Sequence, residues 1–204
     1  MPIQFINIVE SMVNKVYLEN FENRIVNELL KLCTQYNVLE GTLLSTDDID
    51  ARWHEIAPEY VADAVPNIAS YPTVAIAWAG YVGMAVAHLW DSDWAAHCKD
   101  GYSSLYGPAG FDDMDEHIVQ KVLGFHLESR EAKGIEQMMR RLGETALSLI
   151  RRENIEPQSP MAFHVFARAI KSMYRIGAAI ELKRLGYKFE QVSLPGMNGG
   201  MAEC

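Results

Sequence analysis

The sequence predicts an all-α fold, a single-domain bundle of about six to eight helices around a central Ala/Gly-rich helix. Three observations lead there. Apolar residues recur three or four positions apart through most of the 204-residue chain, which is the spacing of one helix face. Helix start and stop residues punctuate it, most clearly Ser159 and Pro160 at one end of a segment and Gly186 at the other. Composition is ordinary for a soluble globular protein, 49% apolar and 22% charged, which excludes collagen-like, low-complexity and wholly disordered chains.

The first element spans about residues 3–38, with Val9, Val13, Val16, Ile25, Leu29, Leu32 and Tyr36 on its apolar stripe. The stripe weakens near Asn20, so one long helix and two joined near Glu19 are both compatible with it. Gly41 suits a left-handed cap after it. A second helix opens at Ser45 or Thr46, where Asp47, Asp48 and Asp50 meet the positive end of the helix dipole. Ile49, Trp53, Ile56 and Tyr60 share its face, and Pro58 is expected to kink or restart it.

After a connector, residues 66–71, Pro72 suits the first turn of the Ala/Gly-rich helix. Thr73 to Trp90 is eighteen residues without Asp, Glu, Lys or Arg, long enough to suggest a membrane span. Seven of those positions are Ala or Gly, acids flank the stretch, and no nearby Lys or Arg sets an orientation. A buried bundle helix is therefore expected. Residues 98–111 read as a Gly- and Tyr-rich loop, residues 113–153 as a helical half broken near Gly124, and residues 160–185 as the last helix. Tyr187, Phe189, Val192 and Leu194 suit an extended strip, the domain is expected to end near residue 194, and residues 195–204 are expected to be a mobile tail.

Cys33, Cys98 and Cys204 are an odd number at wide spacing, neither a disulfide framework nor a metal-binding pair, and a reducing cytoplasm is expected. The net charge of -9 argues against a global attraction for nucleic acid. That charge is uneven. Residues 40–116 carry fourteen acids against Arg52 and Lys99, whereas residues 117–188 carry thirteen bases against seven acids. In the last helix His164, Arg168, Lys171 and Arg175 form a basic strip, suited to solvent or to contact with the acidic half.

Two faces of the Ala/Gly-rich helix stand out. Ala75, Ala79, Gly83 and Ala87 form a small-residue stripe that admits a close helix neighbour, within the bundle or in a second copy of the chain. Ala77, Tyr81, Met84, His88 and Asp91 lie opposite. His88 with Asp91, and Asp93 with His97, have the spacing of acid-oriented imidazoles or of metal ligands, making His88, Asp91, Asp93 and His97 the densest ligand-type set. Tyr81, Tyr102 and Tyr106 are candidate walls of a pocket between residues 88–97 and the loop, with His88 and Asp91 as its acid–base pair. Asp113 with Glu116 has the spacing of a helix capping box.

No phosphate-binding loop, dinucleotide fingerprint, H-E-x-x-H or nucleophile elbow occurs, and no cofactor is specified. Two functional expectations follow. One is a cytoplasmic interaction or scaffolding protein, self-associating through the small-residue face. The other is a metal-dependent or acid–base enzyme, or small-molecule binder, at the His88 pocket. Nucleic acid and membrane are not expected partners.

Overall fold

A computed structural model describes the backbone of residues 2–188 and side chains from residue 14 onward; the expected strip and tail beyond Lys188 lie outside the described residues. The fold is an all-α bundle with six α-helices and no strand among the described residues: α1 (Pro2–Gln35), α2 (Asp47–Asn67), α3 (Pro72–His97), the short α4 (Met114–His117), α5 (Arg130–Arg152) and α6 (Pro160–Arg184).

The core is organised on α3 and α6. They run in the same direction, since Gly80 meets Met173 and Gly177 while, further along both helices, His88 meets Glu181. At the crossing the backbones touch. A Cβ placed on Gly83 would lie 1.9 Å from the Tyr174 carbonyl oxygen, and one on Gly177 would lie 1.9 Å from that of Gly80. Glycine is required here by approach distance. The small-residue stripe is thus filled within one chain: Ala75, Ala79 and Ala87 are completely buried. By length and composition α3 could cross a membrane, yet 67% of its most apolar stretch is buried inside the bundle.

The other long helices wrap this pair. The antiparallel α2 is tied to α3 by the Tyr60 hydroxyl, which donates to the Ala75 carbonyl (2.9 Å), and to α6 by Tyr174, which donates to the Ile49 carbonyl (2.7 Å). α5 lies on α3 through Met139 and Gly143, and α1 bridges α5 and α6. Fully buried Phe21, Ile25 and Leu29 line its inner face, each worth roughly 1.5–3 kcal/mol of burial.

Most element signals act as read. The Thr46 hydroxyl accepts from the Ile49 N–H (3.2 Å), Ser159 caps α6, Pro72 and Pro160 start their helices, and Gly124 and Gly186 have positive φ. Other expectations are narrowed or corrected. Of the two alternatives for the first element, one long helix forms, and it stops at Gln35, short of residue 38, because Asn37 turns left-handed (φ 56°). α2 continues through Pro58 and Pro66, with neighbouring turns and the packing of Ile56 and Tyr60 outweighing the lost bonds. α3 extends to His97, kinked at Asp93 (φ -163°, ψ 86°). α4 passes into a π-turn, Ile118–Val122.

Candidate functional site

Residues 98–111 form a clasped loop. Arg52, itself buried, donates to the Asp100 carbonyl at one end. At the other, the Asp113 carboxylate accepts from the N–H groups of Gly107 and Ala109 (both 3.1 Å), so it holds the loop where a capping box was expected. Between them Tyr102 is buried, edge-on to Tyr60 (6.2 Å) and Tyr106 (5.3 Å), and Phe111 packs on Trp78 (4.7 Å). These aromatics anchor the loop to the core.

The expected pocket beside this loop is closed. The hollow between α2, the end of α3 and the loop measures about 10 Å³, room for about one water. Arg52, Leu89, His97, Asp100 and Leu105 line it; His88, Tyr81, Tyr102 and Tyr106 do not. Tyr81 is buried, and burial followed by the charges of Asp115 and Glu136 pushes its hydroxyl well above the ordinary range. Tyr102 is pushed up the same way, chiefly by burial and then by the charge of the nearby Asp63 carboxylate, to which its hydroxyl makes no well-formed hydrogen bond.

Nor are His88, Asp91, Asp93 and His97 brought together. His88 bonds Glu181, Asp91 accepts from the Tyr187 hydroxyl (2.7 Å), Asp93 accepts from the Ala96 N–H (3.1 Å), and His97 bonds Asp100 (2.7 Å). The kink at Asp93 changes the helical phase on which the pairing with His97 depended. Among the described residues no three His, Cys, Asp or Glu side chains form a metal-binding group.

The structure assembles a different constellation around His88. Glu181 of α6 is 0% exposed. Its Oε1 accepts from His88 Nδ1–H at 2.8 Å, and Arg184 clamps the same carboxylate from one turn on, with Nε to Oε2 at 2.7 Å and Nη2 to Oε1. The guanidinium sits over Phe125, 4.9 Å from the ring centroid. Bidentate binding by Arg184 supplies the charge-assisted bonds that a buried carboxylate needs. It also fixes the imidazole. With Nδ1 engaged, Nε2 is the ring nitrogen left unbonded among the described residues, in a side chain that is 26% exposed.

Chemically this is a carboxylate-oriented imidazole beside a guanidinium, able to accept or deliver a proton at Nε2 or to hydrogen-bond a polar ligand. Glu181 and Arg184 were missed because they lie 93 and 96 residues from His88. One signal was present: Glu181 continues the stripe Phe166, Ile170, Met173, Gly177 by one helical turn, placing a carboxylate on the buried face.

Three of the four members of the basic strip are paired inside the chain, and His164 is exposed. Arg168 and Lys171 (3.0 Å) both bind Glu22 of α1, and Arg175 faces Asp50 of the acidic half at 3.4 Å. Comparison with protein-family models, curated proteins and solved structures gives no match to this chain.

Proposed function

We propose that the chain is a small-ligand binder of acid–base type, working in a reducing cytoplasm, with His88 as its reacting group, Glu181 as the orienting carboxylate and Arg184 as the neighbouring cation. The observation that carries this is the completely buried Glu181 carboxylate bonded to both His88 and Arg184. A buried ionic cluster is a poor way to stabilise a bundle, because well-packed apolar side chains of the same volume do as well or better. It is a good way to hold one imidazole nitrogen in a fixed direction.

The test is residue-resolved labelling with diethylpyrocarbonate, read by mass spectrometry. His88 is expected to react at neutral pH despite its partial burial, and Glu181→Gln to slow it several-fold relative to the exposed His54 and His164 in the same molecule. A His88 slower than both and indifferent to Glu181→Gln would remove the proposal.

A second reading, self-association as part of a scaffold, is favoured by one feature. Val65 at the end of α2, and Ile68 and Tyr71 between Pro66 and Pro72, are exposed at three-residue spacing where α2 turns into α3. Tyr71 is 63% exposed. Large apolar side chains grouped on a rigid corner suit a partner surface. Light scattering at increasing concentration tests it: a wild-type dimer converted to monomer by Tyr71→Asp supports it, and a monomer throughout removes it.

A further inference from the structure

A second concave region lies on a different face of α6 from His88. Leu182 and Lys183 face it, whereas Glu181 and Arg184 face His88 and Phe125. It is an open groove between residues 39–46 and the end of α6, made of two adjoining hollows of about 330 and 240 Å³ that share Leu44, Tyr187 and Lys188.

The two hollows differ in chemistry. The larger is lined by Lys183, Lys188, Glu40 and Thr42 as well as Leu39 and Leu44. Its ionic side chains sum to +1 in a chain of net charge -9. Lys183 is bound to Glu40 (2.5 Å), and Lys188 has no carboxylate within bridging distance among the described residues. The smaller hollow is more apolar, walled by Leu43, Leu44, Leu182 and the Trp90–Tyr187 pair, whose ring centroids are 5.7 Å apart. Asp91, held by the Tyr187 hydroxyl, lies on that aromatic side and repels a negative charge there. The combined volume is that of a small-molecule site, with apolar walls and a few polar groups at one end.

We propose that this groove binds a small amphipathic carboxylate, free in solution, with its anionic head at Lys188 and Lys183 and its apolar body against Leu43, Leu44 and Trp90. Lys188 lines both hollows and favours an anion, and the direction is set by Asp91 and Asp48, which accept from Tyr187 and Trp90 and repel a negative head group at the aromatic end. The inference is independent of the acid–base reading of His88.

The test is titration calorimetry of the full chain with dodecanoate below its micelle-forming concentration. Saturable binding at one site is expected, about tenfold weaker in Lys188→Glu, abolished in Thr42→Trp, which fills the larger hollow, and unchanged in His88→Ala and in Lys121→Glu on a remote exposed lysine. Fluorescence of Trp90, read against Trp90→Phe, checks that the ligand reaches the apolar end. Absence of saturable binding, an equal loss in Lys121→Glu, or binding to phosphatidylserine-containing vesicles without binding of monomeric dodecanoate would each overturn the proposal, the last in favour of a membrane surface.

Discussion

Adding one methyl group to the crossing of α3 and α6 probes the structure most sharply. In Gly83→Ala the new Cβ would stand 1.9 Å from the Tyr174 carbonyl oxygen and 2.8 Å from its carbon. Ordinary contact is about 3.5 Å, so the helices must part by about 1.5 Å, enough to forfeit half or more of the dispersion energy across the seam. The obstacle is backbone, which cannot rotate away, so the cost belongs at or above the top of the 1–3 kcal/mol range for overpacking. It exceeds the ~1 kcal/mol that alanine gains over glycine in a helix. The net loss of about 2 kcal/mol or more lowers Tm by at least about 4–8 °C in a chain of this size. Gly177→Ala meets the Gly80 carbonyl at the same distance and behaves alike. Gly80→Ala meets the Met139 sulfur at 2.6 Å, the end of a flexible side chain, and costs about 1 kcal/mol or less. Gly134, exposed on α5 with nothing within 4 Å of its added Cβ, is the opposite case, and Gly134→Ala stabilises by about 0.5–1 kcal/mol. Urea denaturation of the four variants gives the ranking. If Gly83→Ala lies within 0.5 kcal/mol of wild type, the direct backbone contact is wrong.

Three other perturbations address the periphery. Burial pushes the Glu22 carboxyl up, but the bonds and charges of Lys171 and Arg168 outweigh it and hold it below the usual carboxylate range. It therefore contributes stability above its unfolded pKa and loses it as pH falls through the lower folded value. In urea titrations the gap between wild type and Glu22→Gln should close as pH drops through that window, and a gap independent of pH would refute the assignment. Tyr102→Phe removes a buried hydroxyl that lies near the Asp63 carboxylate without a well-formed bond to it, and should raise stability by about 1 kcal/mol in thermal unfolding; a loss would mean that Asp63 accepts from the hydroxyl. Asp113→Ala frees the Gly107 and Ala109 N–H groups, costing about 1.5–3 kcal/mol, with hydrogen exchange accelerated at those two amides and unchanged at the centre of α6.

What the residues disclose in advance follows from the range of each interaction. Caps, helix-starting prolines and left-handed glycines act over a few residues, and Thr46, Ser159, Pro72, Pro160 and Gly186 do what their chemistry dictates. The stripe Ala75, Ala79, Gly83, Ala87 was legible as a close-contact surface, although spacing alone did not identify α6 as the helix that fills it. Sequence proximity misled at the candidate site. Asp91 is one turn from His88, but a helix-adjacent acid is free to turn outward, and it binds Tyr187. The partner that fixes the imidazole arrives from α6, 93 residues away. Loop chemistry was ambiguous for a similar reason: Tyr102 and Tyr106 suit a pocket wall or an anchor, and only contact with Tyr60 decides between them.

The bundle satisfies internally the two surfaces that seemed to invite partners. Its glycine seam is closed by α6, and Arg168, Lys171 and Arg175 of its basic strip are paired with Glu22 and Asp50. Both uses lower the energy of a single chain, so neither feature requires a second molecule to account for it. The cluster at Glu181 is different in kind. Burying a carboxylate completely carries a desolvation cost of several kcal/mol, and bonds from His88 and Arg184 offset that cost without making the arrangement better than an apolar packing. Stability thus explains why His88 and Arg184 accompany Glu181, and leaves unexplained why Glu181 is there. An imidazole held through Nδ1 in a partly exposed side chain answers that question, and the better-packed seam beside it offers no such group.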